Sequence, residues 1–155
     1  MKTVYLMCGI PGSGKSTWLK EHYDTKRDVI VSRDAIRFSL LKPGDPYFSK
    51  EKEVWRQFVS TIREYINSDF QIYVDATHLN KASRSKLINA IAVDGIKYVP
   101  IVFDVPLEVA IARDAKRKGR AHVGADIITN MYNSFEKPTT EEFEEIIEIT
   151  RRNIE

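Results

Sequence analysis

Residues 9–17 read Gly-Ile-Pro-Gly-Ser-Gly-Lys-Ser-Thr, matching G-x-x-x-x-G-K-[ST] at every fixed position. The chemistry of that pattern is anion binding. Its glycines let consecutive backbone N–H groups turn inward around a di- or triphosphate. Lys15 then reaches the β- and γ-phosphates, and the Ser16 hydroxyl sits on Mg²⁺. Gly12, Ser13, Gly14, Lys15, Ser16 and Thr17 are therefore the expected nucleotide-binding residues. ATP and Mg²⁺ are the expected cofactors.

Other polar groups offer chemistry of their own. Asp34 stands three residues before Arg37, a step that puts both on one side of a helix. One reading makes Asp34 a helix N-cap paired with Arg37. The other makes it the carboxylate that takes a proton from an acceptor hydroxyl, with the Arg37 fork on a phosphate. Asp75 ends the apolar run Ile72-Tyr73-Val74. It reads either as a strand-end cap or as an acid that holds a magnesium-bound water or orients a neighbouring group on the substrate side. Thr77 and His78 follow it, where an acceptor would be contacted, although His78 also reads as an ordinary loop residue. Arg113 and Arg117 lie four apart and would share a helix face. They read as cations that meet a transferring phosphoryl group or as a solvated basic helix end.

These groups need elements to hold them. Apolar runs at 3–8, 28–32, 71–75 and 97–104 have strand length, and helical patterns fall between them. Helices are expected over 15–23, 34–41, 48–67, from a cap at Asn80 to about Val93, from Pro106 to about Lys118, and from a cap at Asp126 through Phe135. Residues 43–46, Pro-Gly-Asp-Pro, break the second helix, and Gly95 is expected to end the fourth. Trp55, Phe58, Val59, Ile62, Tyr65 and Ile66 recur at helical spacing and read as core. The tail is open between a helix (Phe143, Ile146, Ile147, Thr150) and a strand (Ile147, Ile149). Strands alternating with helices imply an α/β three-layer sandwich, with a central parallel sheet of four or five strands and helices on both faces. Ligands then bind at the carboxyl ends of the strands, where the loop at 9–17, Ser32-Arg33-Asp34 and Asp75-Ala76-Thr77-His78 all fall.

The chain has 155 residues, 43% hydrophobic and 30% charged, with 24 Lys+Arg against 22 Asp+Glu. That suits one P-loop NTPase domain over 1–155 and gives no global charge toward nucleic acid. Residues 113–125, bracketed near Gly119 and Gly124, are expected to form a lid. Cys8 is the single cysteine, so an intramolecular disulfide and a cysteine zinc cluster are excluded, and buried packing is its expected role. No run is long and apolar enough to cross a membrane, and a reducing cytoplasmic compartment is expected. The acidic stretch Glu141–Glu148 is a candidate assembly surface, with the oligomeric state left open.

Gly12-Ser13-Gly14-Lys15-Ser16-Thr17-Trp18, Arg33-Asp34-Ala35-Ile36-Arg37, Thr77-His78-Leu79-Asn80, Val102-Phe103-Asp104-Val105-Pro106, Arg113 through Arg117 and Met131-Tyr132-Asn133-Ser134-Phe135 follow one another in order. Together they resemble the 5′-hydroxyl polynucleotide kinases, phage-type kinase domain, up to about residue 135. The resemblance implies transfer of the ATP γ-phosphoryl group to a 5′-hydroxyl end of DNA or RNA. It implies Asp34 as general base, Arg37 on the acceptor's adjacent phosphate, Thr77 lining the acceptor site, and Arg113 and Arg117 on the donor phosphates. The phage-type pattern has an acid immediately before the threonine. Here Ala76 holds that place and the acid is Asp75, a form other P-loop kinases share. An extra residue stands near Lys118, and no phosphatase segment follows. Two alternatives stay open: a P-loop kinase acting on the hydroxyl of a sugar, nucleoside or antibiotic, and a nucleotide-binding module without transfer.

Overall fold

The computed structural model describes residues 2–119 and 122–150. Its strands are β1 (Lys2–Cys8), β2 (Asp28–Ser32), β3 (Gln71–Asp75), β4 (Ile96–Asp104) and β5 (Ile147–Thr150). They form a sheet in the order β2-β3-β1-β4-β5, and every neighbouring pair is parallel. The helices are α1 (Lys15–His22), α2 (Arg33–Leu40), α3 (Glu51–Ile66), α4 (Lys81–Ile91), α5 (Leu107–Ala115) and α6 (Ala125–Ser134).

The period-two alternation of strands divides the core between two faces. Val4, Leu6, Cys8, Ile72, Val74 and Val102 point to one face, where α3 and α4 bring Phe58, Ile62, Leu87 and Ile91. Met7, Tyr73, Ile101 and Phe103 point to the other, where α1 brings Trp18 and Leu19. A third cluster, Ile10, Val105, Ala110 and Ile128, packs α5 and α6 at the carboxyl rim. Strands covered on both faces read as continuous apolar runs, as β1 and β4 do. The expected three-layer α/β sandwich is therefore present with five strands. Cys8 is buried and free, and burial pushes its thiol up to about 12. Among the described residues no helix is long and apolar enough to cross a membrane.

Several element ends differ from expectation, each for a local reason. The N-cap of α2 is Ser32, whose side chain accepts from the Ala35 N–H at 3.1 Å. Asp34 thus sits inside the first turn and is not the cap. Asn80 caps α4 as expected, through a reciprocal box with Ser83. That helix stops at Ile91 because Ala92 takes the left-handed conformation (φ 53), ahead of Gly95. Helix α3 starts at Glu51, past the expected Phe48. Helix α5 ends at Ala115, three residues short of Lys118, so Arg113 and Arg117 do not share a helix face. Gly124, not Asp126, occupies the N-cap of α6. The tail resolves as strand β5 on the free edge of β4, with Ile147 opposite Ile101 and Ile149 opposite Phe103. Three of its acids pair within the chain: Glu142 with Arg84, Glu145 with Lys97 and Glu148 with Lys137.

Candidate functional site

The strand order changes direction at β1, whose neighbours β3 and β4 lead to opposite edges of the sheet. In open parallel sheets that switch point carries the ligand crevice. The loop after β1 fills it. Gly12 (φ 81) and Gly14 (φ 99) adopt positive φ, which turns backbone N–H groups inward as an anion nest requires. A Cβ on Gly12 would come within 2.4 Å of the Ala110 carbonyl oxygen of α5, so only glycine fits there. The Gly9 N–H donates to the Thr77 carbonyl at 3.0 Å, tying this loop to the one after β3.

Lys15 Nζ donates to the Gly9 and Ile10 carbonyls at 2.6 and 3.2 Å. Burial pushes its ammonium down to about 8, opposed chiefly by the Asp75 carboxylate. Asp75, paired with Ser32 and Met7 across the sheet, is itself raised by burial, with Lys15 pulling the other way. Gly12, Gly14, Ser16, Thr17, Arg113, Lys116 and Arg117 line a cleft of 240 Å³. Arg113 leans on the loop through the Gly12 carbonyl at 3.4 Å. The two arginines expected from the sequence therefore reach one cleft, Arg117 from the turn beyond α5. Residues 120 and 121 of the expected 113–125 lid lie outside the described residues.

The cleft fits a nucleotide phosphate by its own chemistry. It is lined by two nest glycines, two exposed hydroxyls at a helix N-terminus and the cations Arg113, Lys116 and Arg117, while Lys15 and the Ser13 Oγ, buried without a hydrogen-bond partner, stand on the same loop. Among the described residues no three His, Cys, Asp or Glu converge as a metal cage. A sparse set such as Ser16 and Asp75 suits Mg²⁺, which keeps its waters and leans on substrate phosphates.

A second cluster stands at the end of β2. Arg37 is 6% exposed at its side chain and Asp34 is 61% exposed. The two are hydrogen-bonded through Nη1 and Oδ1. Tyr47, from the stretch between α2 and α3, donates to Asp34 Oδ1 at 2.8 Å and accepts from Arg37 Nη1 at 2.7 Å. Glu51 at the start of α3 accepts from Arg37 Nε at 2.7 Å and from Arg33 Nη2 at 3.2 Å. Burial alone would raise the Glu51 carboxyl, but the two guanidiniums outweigh it and hold it below its ordinary value. Burial and the bond to Asp34 push the Tyr47 phenol up to about 12, so it stays a donor at neutral pH. Asp75 takes no part in holding Arg37; Glu51 does. Neither Glu51 nor Tyr47 was expected from sequence, since a contact across 14 or 10 residues of irregular chain leaves no periodic signal.

The remaining expected residues act through the backbone. Thr77 contributes its carbonyl to Gly9. His78 (φ 46) is buried, with Nδ1 on the Met7 carbonyl at 2.7 Å, which makes it a fastener between β1 and the β3 loop. Burial pushes its imidazole down to about 4. A lowered folded-state value means the unfolded chain binds the proton first, so stability is present above pH 6.5 and is lost as pH falls toward 4. Unfolding free energy should drop by about 2 kcal/mol between pH 7.5 and pH 5 from this group. Urea midpoints across that range should show the slope in the native protein and lose it in His78→Asn, which tolerates positive φ. Parallel slopes in the two proteins would refute the assignment.

Asp114 was also missed. Fully buried on α5, it accepts from the Val123 and Gly124 N–H groups at 2.8 and 2.9 Å and faces His122 Nδ1 at 3.2 Å. Burial alone would raise its carboxyl, but those amides with His122 and Arg117 hold it below the usual value.

A parallel 2-3-1-4-5 sheet with a phosphate loop after β1 defines a P-loop kinase fold of the α/β NTPase class. The chain belongs to the AAA_33 family, described as an AAA domain, which matches residues 4–138. It is 25% identical over 150 residues to an L-seryl-tRNA(Sec) kinase of Methanococcus maripaludis, covering 94% of this chain and 57% of that protein. It is 24% identical over 155 residues to a putative bifunctional polynucleotide kinase/RNA ligase of Autographa californica nuclear polyhedrosis virus, covering 92% of this chain and 22% of that protein. The chain thus spans little more than half of one relative and about a fifth of the other. Among solved structures, a putative kinase from Chloroflexus aurantiacus superposes with a TM-score of 0.75 at 15% identity, covering 96% of this chain and 88% of that one.

Proposed function

We propose that the chain transfers the γ-phosphoryl group of ATP to the 5′-hydroxyl at an end of DNA or RNA. The observation that carries this reading is the Asp34–Tyr47–Arg37 cluster, a carboxylate and a guanidinium fixed by one phenol at the rim that holds the phosphate loop. Such a pair suits an acceptor whose hydroxyl lies beside a phosphate. The similarity to the viral polynucleotide kinase/RNA ligase supports the same acceptor.

In this reading both bonds to Asp34 fall on Oδ1, leaving Oδ2 to accept the hydroxyl proton. The acceptor oxygen bonds to the γ-phosphorus as the bond to the β-phosphate oxygen breaks, and ADP leaves. Lys15 and the loop amides stabilise the phosphates. Arg113 and Arg117 neutralise charge on the transferring group, carried by a 113–125 lid. Thr77 borders the acceptor. Ser16 and Asp75 would hold Mg²⁺, which would supply charge neutralisation on the phosphates.

Labelled ATP offered to 5′-hydroxyl oligonucleotides and to a panel of sugars, nucleosides and small alcohols tests the assignment. Transfer to the oligonucleotide is expected. Its KM should rise roughly 2.5-fold per contacted phosphate between 50 and 200 mM salt. Transfer to uncharged alcohols alone, without that salt dependence, points instead to a small-molecule kinase. Nucleotide binding without transfer to anything points to a binding module.

A further inference from the structure

Phe48 is 69% exposed, the largest exposure among the large apolar side chains of the described residues. A single exposed apolar residue is ordinary. This one is not an isolated case, because it stands on the Asp34–Arg37 cluster. Its ring meets Tyr47 at 4.6 Å between centroids and 82° between planes. The Arg37 guanidinium carbon lies 4.4 Å from the Tyr47 centroid and 5.8 Å from that of Phe48. Tyr47 in turn is pinned by its two hydrogen bonds and by an edge contact with Phe38 at 6.1 Å. The chain around them is held by its own turns: Asp45 N–H to the Lys42 carbonyl at 3.0 Å, Lys42 N–H to Asp45 Oδ2 at 2.9 Å, and Ser49 N–H to the Pro46 carbonyl at 3.1 Å. A fixed aromatic therefore presents an open surface to solvent one ring's width from the hydroxyl- and phosphate-binding groups.

We propose that Phe48 is a stacking platform for the terminal nucleobase of the acceptor, which makes it a specificity-determining residue. The inference rests on the polynucleotide reading and deepens it. In a nucleotide end, the hydroxyl, the neighbouring phosphate and the base are carried by one furanose. Asp34, Arg37 and Phe48 offer a carboxylate, a cation and a π-surface in matching succession. Every base has a π-face, so stacking selects for a nucleotide over a sugar or simple alcohol while staying tolerant of sequence. Simple alcohols have no base to place on Phe48, and a sugar would meet its ring only through C–H groups.

The test compares two oligonucleotides in the full chain, one with an ordinary 5′-terminal nucleotide and one whose terminal residue is an abasic tetrahydrofuran bearing the same 5′-hydroxyl. For the native protein, loss of the base should raise KM roughly 5- to 100-fold, with kcat little changed. Phe48→Ala and Phe48→Leu should raise KM for the ordinary end by a similar factor. Removing ring and base together should cost no more than removing either, and Phe48→Trp should restore tight binding. Equal losses on both oligonucleotides, or full recovery with leucine, would overturn the proposal, because a merely apolar contact predicts them. Transfer to both ends with no base dependence overturns this inference alone. Transfer to neither end by the native protein overturns the polynucleotide reading and this inference with it.

Discussion

Asp34→Ala should lower the rate of phosphoryl transfer by about 10²- to 10⁴-fold, the range a positioned general base supplies, while leaving nucleotide affinity intact. The geometry separates those two effects. Asp34 lies at the end of β2 and the nucleotide cleft is lined from the β1 loop and the α5 turn. The fold should survive the change. Ser32, not Asp34, caps α2, so no helix end is orphaned. Arg37 keeps Glu51 and Tyr47, and the lost pair is one whose acid is 61% exposed, a kind that contributes at most about 1 kcal/mol. Single-turnover transfer from labelled ATP to a 5′-hydroxyl oligonucleotide, beside fluorescence titration with ADP, reads the two quantities. Near-normal turnover in the variant would remove Asp34 from the mechanism.

Glu142→Ala should lower stability by about 3–5 kcal/mol, the cost of stranding a buried charge. Its partner Arg84 is only 1% exposed at the side chain. Arg84 Nε donates to both Glu142 oxygens at 2.8 and 3.1 Å, and Nη1 donates to the His78 carbonyl at 2.8 Å. One guanidinium thus joins α4, the loop after β3 and the segment before β5. Total stabilities of 5–15 kcal/mol leave little margin for such a loss. Urea unfolding should show a large fall in midpoint. Joint replacement of the pair, Arg84→Met with Glu142→Leu, should recover much of it, because no lone charge remains. A variant with only a few tenths of a kcal/mol lost would mean that Arg84 finds water or another partner.

What was legible in the sequence is what is local in the chain. The phosphate loop is nine contiguous residues whose types already imply positive φ and inward amides. Residues 4–8 of β1 and 98–103 of β4 announce themselves because cover on both faces leaves no charged interruption. The α3 stripe marks core, with Val54 joining it beside Phe58, Ile62 and Ile66. Contacts made across the fold were not legible. Glu51 grips Arg37 from 14 residues away and Glu142 grips Arg84 from 58, and any of several acids would have served as well on paper. Helix ends were misread where a tertiary partner decides them. The basic run after Arg113 suits a helix, yet Asp114 spends its carboxylate on Val123 and Gly124. The tail carries both periods, and the open edge of β4 chose the strand.

The Asp114 carboxylate also has a mechanical consequence. By binding the chain ten residues further on, it fixes the start of α6 to α5, next to the turn that carries Lys116 and Arg117. Lys116 and Arg117 are thereby anchored beside the cleft they line, and in the proposed reaction less ordering entropy has to be lost when a ligand binds there.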